Sequence, residues 1–282
     1  MAWGVSNHVV ITKKVTQSVE FFSGSTLEEV DLNKLKFSLS GHFAYDYEHT
    51  VQPLDKLERL FKAPDTHWTN HAFEKEHRSE DSVIPGFNLI VIDVDGGVKL
   101  PMVHDLLKDY TFATYTTKRH TEEDHRFRLI IPTNYVLELD KDDYKEFMDS
   151  FALWLPFDSD TAANQRSRKW RTNPLAEVHI NRGPQILDVL PFIPKTKANN
   201  EYVQQIADLG NLDNLERWFL NNMDIGSRNN TILNYAMMLK DAGMGYDEIE
   251  SKVLDLNQRS SSPLKKDELQ STVLKSVAQK MA

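Results

Sequence analysis

Two carboxylates, Asp93 and Asp95, close an apolar run in the stretch NLIVIDVDGG, residues 88–97. Side chains two apart on a strand share a face, so both acids are delivered to one place while Val94 turns away, and Gly96 and Gly97 release the chain into a turn. Carboxylates that close repel unless a cation sits between them. Hard oxygens on a rigid strand end suit Mg²⁺ or Mn²⁺, ions that keep several waters and bind phosphates. A lone Asp-x-Asp also occurs in solvated turns, so its meaning depends on what accompanies it.

A second cluster follows in TTKRHTEEDHRFRLIIP, residues 116–132. A strand rich in Thr and aromatics runs into a loop carrying Lys118, Arg119, His120 and His125, then returns through Arg126 and Arg128, which share one face of the return strand. Guanidinium forks so arranged match phosphate oxygens. Alternatively they pair with Glu122, Glu123 and Asp124 close by, a weak surface arrangement.

The third cluster is PFDSDTAANQRSRKWRTNP, residues 156–174. Asp158 follows an apolar segment and is placed either to join Asp93 and Asp95 or to cap a turn. Arg166, Arg168, Lys169 and Arg171 surround Trp170 with no acid between them. Basic residues interleaved with an aromatic fit a single strand, whose backbone takes the charge and whose bases stack. Arg78 stands before a Gly-containing turn near the acid strand, with Glu80 and Asp81 as alternative partners.

The elements that must hold these groups divide the chain. Short β-rich runs alternate with polar stretches up to about residue 192, with strands expected at 9–13, 89–93, 111–116, 127–132, 177–180 and 186–189. A helix is expected over 137–155 from near Asp140, with Tyr144, Phe147, Phe151 and Trp154 on one face. The proline-punctuated segment PFIPKTKANN reads as a linker. Beyond it the β signal ends, and 212–282 reads as helical, with stripes at Ile232, Tyr235, Ala236 and Leu239, at Ile249, Val253 and Leu256, and at Leu269, Val273 and Val277. The expected organisation is therefore an α+β domain over 1–192, a linker over 193–210 and a small all-helical domain over 211–282.

With 282 residues, 40% of them hydrophobic and 27% charged, the chain can bury a sizeable core. The net charge of −9 argues against a uniformly basic coat for nucleic acid, so any polyanion site must be local. Without cysteine, disulfides, zinc ribbons, iron–sulfur clusters and thiol nucleophiles are excluded, and a reducing compartment is expected. No stretch reaches the length of a bilayer span and Met1 to Lys14 carry no apolar core, so the cytoplasm is the expected location. No P-loop is present, which places any helicase in another chain or in a missing C-terminal part.

Taken together, the Asp-x-Asp strand end, the short motif closing on His120 and the later lone Asp158 resemble the three signature motifs of the archaeo-eukaryotic primase superfamily, the primase–polymerases. The wording TTKRHT…RFRLIIP and FDSD…RSRKW is particularly similar to primases of bacteriophages and plasmids, which would put the chain in a host cytoplasm or nucleoid. Lys118 departs from the family pattern, which has Ser there; Thr116, Thr117 and Thr121 stand nearby. GSRNNTILNY and the later Asn257, Pro263 and Leu264 resemble the C-terminal domain attached to many such primases, in which Ser227 or Asn229 can cap a helix, Asn257 can end one, and Arg228 either touches nucleic acid or holds helices together.

The resemblance implies a two-part α/β core with a sheet like that of the RNA-recognition motif. It implies two metal ions, Mg²⁺ or Mn²⁺, on Asp93, Asp95 and Asp158, and an incoming nucleoside or deoxynucleoside triphosphate on His120 and Lys118. Arg126, Arg128, Arg166 and Arg168 would take the remaining phosphates. A single-stranded DNA template would lie on Arg168, Lys169, Trp170, Arg171 and Arg228. Two other readings stay open. DVDGG also looks like the opening motif of haloacid-dehalogenase phosphohydrolases, with Asp93 as nucleophile and Asp95 as general acid; that fold wants a later carboxylate pair after an apolar strand, and the pair present, Asp142-Asp143, falls within the expected helix. The chain could also be a catalytically silent replication-initiation module that binds DNA.

Overall fold

The computed structural model describes residues 28–159, 164–209, 212–223 and 226–281, so the strand expected at 9–13 lies outside the described residues. In order the elements are β1 (Glu28–Glu29), β2 (Leu35–Ser40), β3 (Glu48–Gln52), α1 (Leu57–Phe61), β4 (His67–Thr69), β5 (Ala72–Phe73), β6 (Val83–Ile84) and β7 (Phe87–Asp95). Then come α2 (Leu100–Leu106), β8 (Thr111–Thr116), β9 (Arg126–Leu137), α3 (Lys141–Trp154), β10 (Trp170–Arg171) and β11 (Val178–Arg182). The helices α4 (Lys197–Asp208), α5 (Asn214–Asn221), α6 (Arg228–Asp241) and α7 (Tyr246–Arg259) follow. The last is α8 (Lys266–Leu269), which passes through a π turn at Gln270–Leu274 into α9 (Lys275–Met281). The fold is mixed α+β with a helical C-terminal region.

β9 is the hub of the larger sheet. It pairs antiparallel with β7 along one edge and with β8 and the short β1 along the other, and β11 continues outward from β8. β7, α2 and β8 thus form a split β-α-β unit whose gap β9 fills. A second sheet, ordered β10-β4-β2-β3, is likewise antiparallel. Between them lies one core, in which Leu89, Val91, Ala113, Tyr115 and Ile130 meet Leu35, Phe37, Leu57, Phe61, Trp68 and Trp170. Each fully buried aliphatic or aromatic side chain there contributes about 1.5–3 kcal/mol. Polar atoms stitch the layers: Asn88 takes the Lys36 N–H (2.9 Å) and donates to Lys34 O (3.0 Å), and Trp68 Nε1 donates to Tyr115 Oη (2.9 Å).

The helix expected from Asp140 is α3, and its cap is the one the sequence offers. Asp140 Oδ1 accepts from Asp142 N (2.9 Å) and Asp143 N (2.8 Å). The expected strand at 186–189 is reduced to isolated bridges, Tyr110 to Gln185 and Thr133 to Leu187.

Two compact units result: one from residues up to 152 with 158–208, the other from 153–157 with 209 onward. The linker expectation for 193–210 is corrected here. Residues 197–208 are α4, part of the first unit, because Phe192 packs against Phe147, Phe151 and Tyr202 and because Tyr202 Oη donates to Ser150 O (3.3 Å). Prolines 191 and 194 end one pattern without freeing the chain. In the second unit all three expected stripes are buried. Trp154 closes edge-on against Trp218 at 4.8 Å, and the Asp213 side chain caps α5 through Glu216 N (2.8 Å). No helix among the described residues is long and apolar enough to cross a membrane.

Candidate functional site

Asp93 and Asp95 end β7 directly opposite Arg128 and Arg126 of β9. The cations beside the acids are therefore the two guanidinium groups that sequence reading reserves for phosphates. Arg126 bridges Asp95 (Nη1–Oδ1 3.2 Å) and Asp124 (Nε–Oδ2 2.7 Å). Arg128 lies beside Asp93 (Nε–Oδ1 3.3 Å) but directs Nη1 to Tyr115 Oη and to Arg171 O, both at 3.0 Å. Asp93 Oδ1 and Arg128 Nε are both buried and neither has a hydrogen-bond partner. A third guanidinium, Arg168, stands 3.8 Å from Asp93 Oδ2. The turn after the acids needs its glycines: Gly96 has φ +95°, and a Cβ there would lie 2.6 Å from Asp124 Oδ1.

Asp158 is described and exposed beyond α3. Among the described residues no group of three His, Asp or Glu is arranged to hold a metal ion. The donor set on this strand end, two carboxylates of which one buried oxygen makes no hydrogen bond and only an ion pair to Arg128, fits a hard divalent cation. The acid pair wanted by the phosphohydrolase reading is placed elsewhere. Asp142 and Asp143 open α3 rather than follow a strand, and Asp143 is paired with Lys195 at 2.8 Å.

The β8–β9 loop brings Lys118 and His120 to an open pocket of about 640 Å³, lined also by Thr116, Thr117, Asn173, Pro174, Leu175 and Glu177. His120 Nδ1 accepts the backbone N–H of Arg126 (3.2 Å). That contact leaves the ring proton on Nε2, as a donor. Asn173, absent from the sequence-based candidates, is buried and ties the pocket wall to β8 through Thr116 O (3.1 Å).

The basic run is sorted differently from its sequence. Arg166 is a structural tie: its guanidinium holds Glu80 Oε1 (2.7 Å), Glu80 O (3.4 Å) and Leu139 O (3.2 Å). Arg171 is compensated by Asp65 at 3.0 Å. Trp170 is only 4% exposed and packs on Trp68 at 5.0 Å, so it is core and has no face for a base. The acids that neutralise the run stand about a hundred positions upstream, invisible to local inspection. Arg168 reaches toward Asp93 at 3.8 Å, and Lys169 Nζ lies 3.5 Å from His67 Nδ1. Burial lowers the Lys169 pKa, and repulsion from Arg78, Arg168, Arg171 and Arg128 lowers it further. Arg78 pairs with neither Glu80 nor Asp81; it donates to Phe43 O (2.9 Å) and Ser167 O (2.7 Å).

In the helical unit Arg228 Nη1 donates to Ser262 O (2.6 Å) and Oγ (2.7 Å), the helix-holding alternative. Ser227 occupies the cap position of α6 but makes no side-chain cap. Asn257 does not end α7; from inside it, the buried amide accepts from Leu264 N (2.8 Å) and donates to Leu264 O (3.0 Å).

Residues 216–281 match the family model Primase C terminal 1 (PriCT-1). The helical unit carries a primase C-terminal domain, and that domain points to a primase-related replication protein. No curated protein and no solved structure shows significant similarity to it.

Proposed function

We propose, with the primase C-terminal domain as premise, that the chain is a DNA-dependent primase–polymerase of the archaeo-eukaryotic superfamily. It would transfer nucleotidyl groups from NTP or dNTP to a 3′-hydroxyl on a single-stranded DNA template, alongside a replicative helicase in another chain or in a missing C-terminal part. The observation that carries this reading is the buried Asp93 Oδ1, ion-paired to Arg128 but without a hydrogen bond, on the same strand end as Asp95 and ringed by Arg126, Arg128 and Arg168.

Mg²⁺ or Mn²⁺ would be held by Asp93 and Asp95, with Asp158 added on the resemblance alone, and when bound supplies charge neutralisation and a lowered hydroxyl pKa. The residues of the chain do the rest. His120 offers Nε2–H to a triphosphate oxygen in the pocket, and Lys118 adds charge at its rim. Arg126 and Arg128 hold the two carboxylates on one face and keep positive potential where phosphate charge gathers. The 3′-hydroxyl gives up its proton to solvent as its oxygen attacks the α-phosphorus; a P–O bond forms, and the bond to the departing pyrophosphate breaks.

The test is incubation with single-stranded template, Mn²⁺ or Mg²⁺ and labelled nucleotides. Products whose length follows the template support the reading. Release of inorganic phosphate from monoesters without any polymer would replace it with hydrolysis.

A further inference from the structure

Sequence reading gives base stacking to Trp170, which the fold buries. Another aromatic group takes the exposed position. The rings of His42, Phe43, Tyr45 and His77 are all exposed, Phe43 by 59% and Tyr45 by 54%. They are already in register with one another: His42 lies 4.6 Å from Phe43 and 5.3 Å from Tyr45, and Tyr45 stacks on His77 at 4.8 Å with 15° between planes.

The loop that carries them is locked by its own backbone. His42 Nδ1 accepts from Ala44 N (3.2 Å) and Tyr45 N (3.1 Å), and Ser40 Oγ donates to Tyr45 O (2.6 Å). The second segment is zipped on through Arg78 N to Ala44 O (2.8 Å) and Tyr47 N to Glu76 O (3.0 Å). Rings held in this way lose little freedom when a ligand arrives.

Positive charge begins at the same place and leads to the acids. Arg78 joins Phe43 O to Ser167 O; Lys169 Nζ lies 3.5 Å from His67 Nδ1; Arg168 reaches to 3.8 Å from Asp93. Burial lowers the His67 pKa, and Lys169, Arg171, Arg78 and His42 lower it further, the mark of cations crowded together. Aromatic faces next to a basic track are what a single strand requires: phosphates on the charge, bases on the rings.

We propose that His42, Phe43, Tyr45 and His77 form a stacking platform for the bases of a single-stranded nucleic acid, whose backbone runs past Lys169 and Arg168 toward Asp93. The inference rests on the primase–polymerase reading and supplies the template side of it.

The test compares the full chain with a Phe43→Ala/Tyr45→Ala variant, whose backbone hydrogen bonds are all retained. Fluorescence anisotropy is recorded on a short oligothymidylate and on an abasic strand of equal length. The double variant should bind oligothymidylate at least about fivefold more weakly with an unchanged salt slope, because stacking rather than charge is lost. It should bind the abasic strand as the wild type does. A Lys169→Ala variant should weaken both strands and lessen the log–log salt slope by about 0.7. Equal binding of oligothymidylate by wild type and double variant, or an equal loss on the abasic strand, overturns the platform. Either result leaves the enzymatic reading standing, which fails instead if the wild type binds strands yet never incorporates a nucleotide.

Discussion

Arg128 Nε stands 3.3 Å from Asp93 Oδ1, cross-strand partners in register, and neither buried atom has a hydrogen bond. The guanidinium spends its directed hydrogen bonds on Tyr115 and Arg171 and offers Asp93 charge without alignment. A carboxylate held this way is neutralised but keeps a lone pair for something else. Removing one partner of a buried pair costs about 3–5 kcal/mol. Arg128→Ala should therefore unfold at lower denaturant in metal-free buffer, and Mn²⁺ should recover more of its stability than it adds to the wild type. Asp93→Asn, which keeps the side chain's volume and an acceptor beside Arg128, and Asp95→Ala should fold, lose Mn²⁺ binding in calorimetry and lose nucleotide incorporation. Normal incorporation by either aspartate variant would remove it from the reacting centre.

Trp170 supports the fold rather than the ligand. Truncating a buried tryptophan costs about 3–5 kcal/mol. Trp170→Ala should show that loss in urea unfolding, while Trp170→Phe retains most of the stability and binds single strands with the wild-type salt slope. Weakened strand binding by a fully stable Trp170→Phe would return Trp170 to the template.

Acid sensitivity should come in part from His71, buried beside Asn70, Phe87 and Tyr144. Burial, with Arg166 adding to it, lowers its pKa to about 3. An unfolded histidine titrates near 6.5. Between those values the unfolded chain binds a proton that the folded chain refuses, so stability is complete above about pH 6.5 and falls as pH drops toward 3. Denaturation midpoints at pH 7 and pH 5 should differ more for the wild type than for His71→Phe. Identical differences would show that the proton goes elsewhere.

Asn257 should prove to be a stability residue of the helical unit. Asn257→Ala strips Leu264 N–H and C=O of partners in a buried place. Each backbone group left unpaired costs about 1–3 kcal/mol. Faster hydrogen exchange across α6, α7 and α8, with strand binding intact, is the expected result. Weakened strand binding without faster exchange would make Asn257 a contact instead.

Local order is what the sequence by itself determined. Period-2 and period-3.6 burial is a property of neighbouring residues, so β7, β8, the Asp140 cap of α3 and the three helical stripes were legible, as was the shared face of Asp93 and Asp95. Tertiary structure decided which charges are free. Arg166 meets Glu80, Arg171 meets Asp65 and Arg128 meets Asp93 across separations that no spacing rule spans. It also decided which aromatics face water. Trp170 alternates with basic residues as a stacking residue would, but β10 pairs with β4 and turns it onto Trp68. The rings of His42, Phe43 and Tyr45 follow β2 with no periodic signal, and backbone hydrogen bonds from another segment hold them outward. Pairing between distant segments sets both outcomes, because a side chain's exposure and the charge beside it depend on which strand becomes its neighbour.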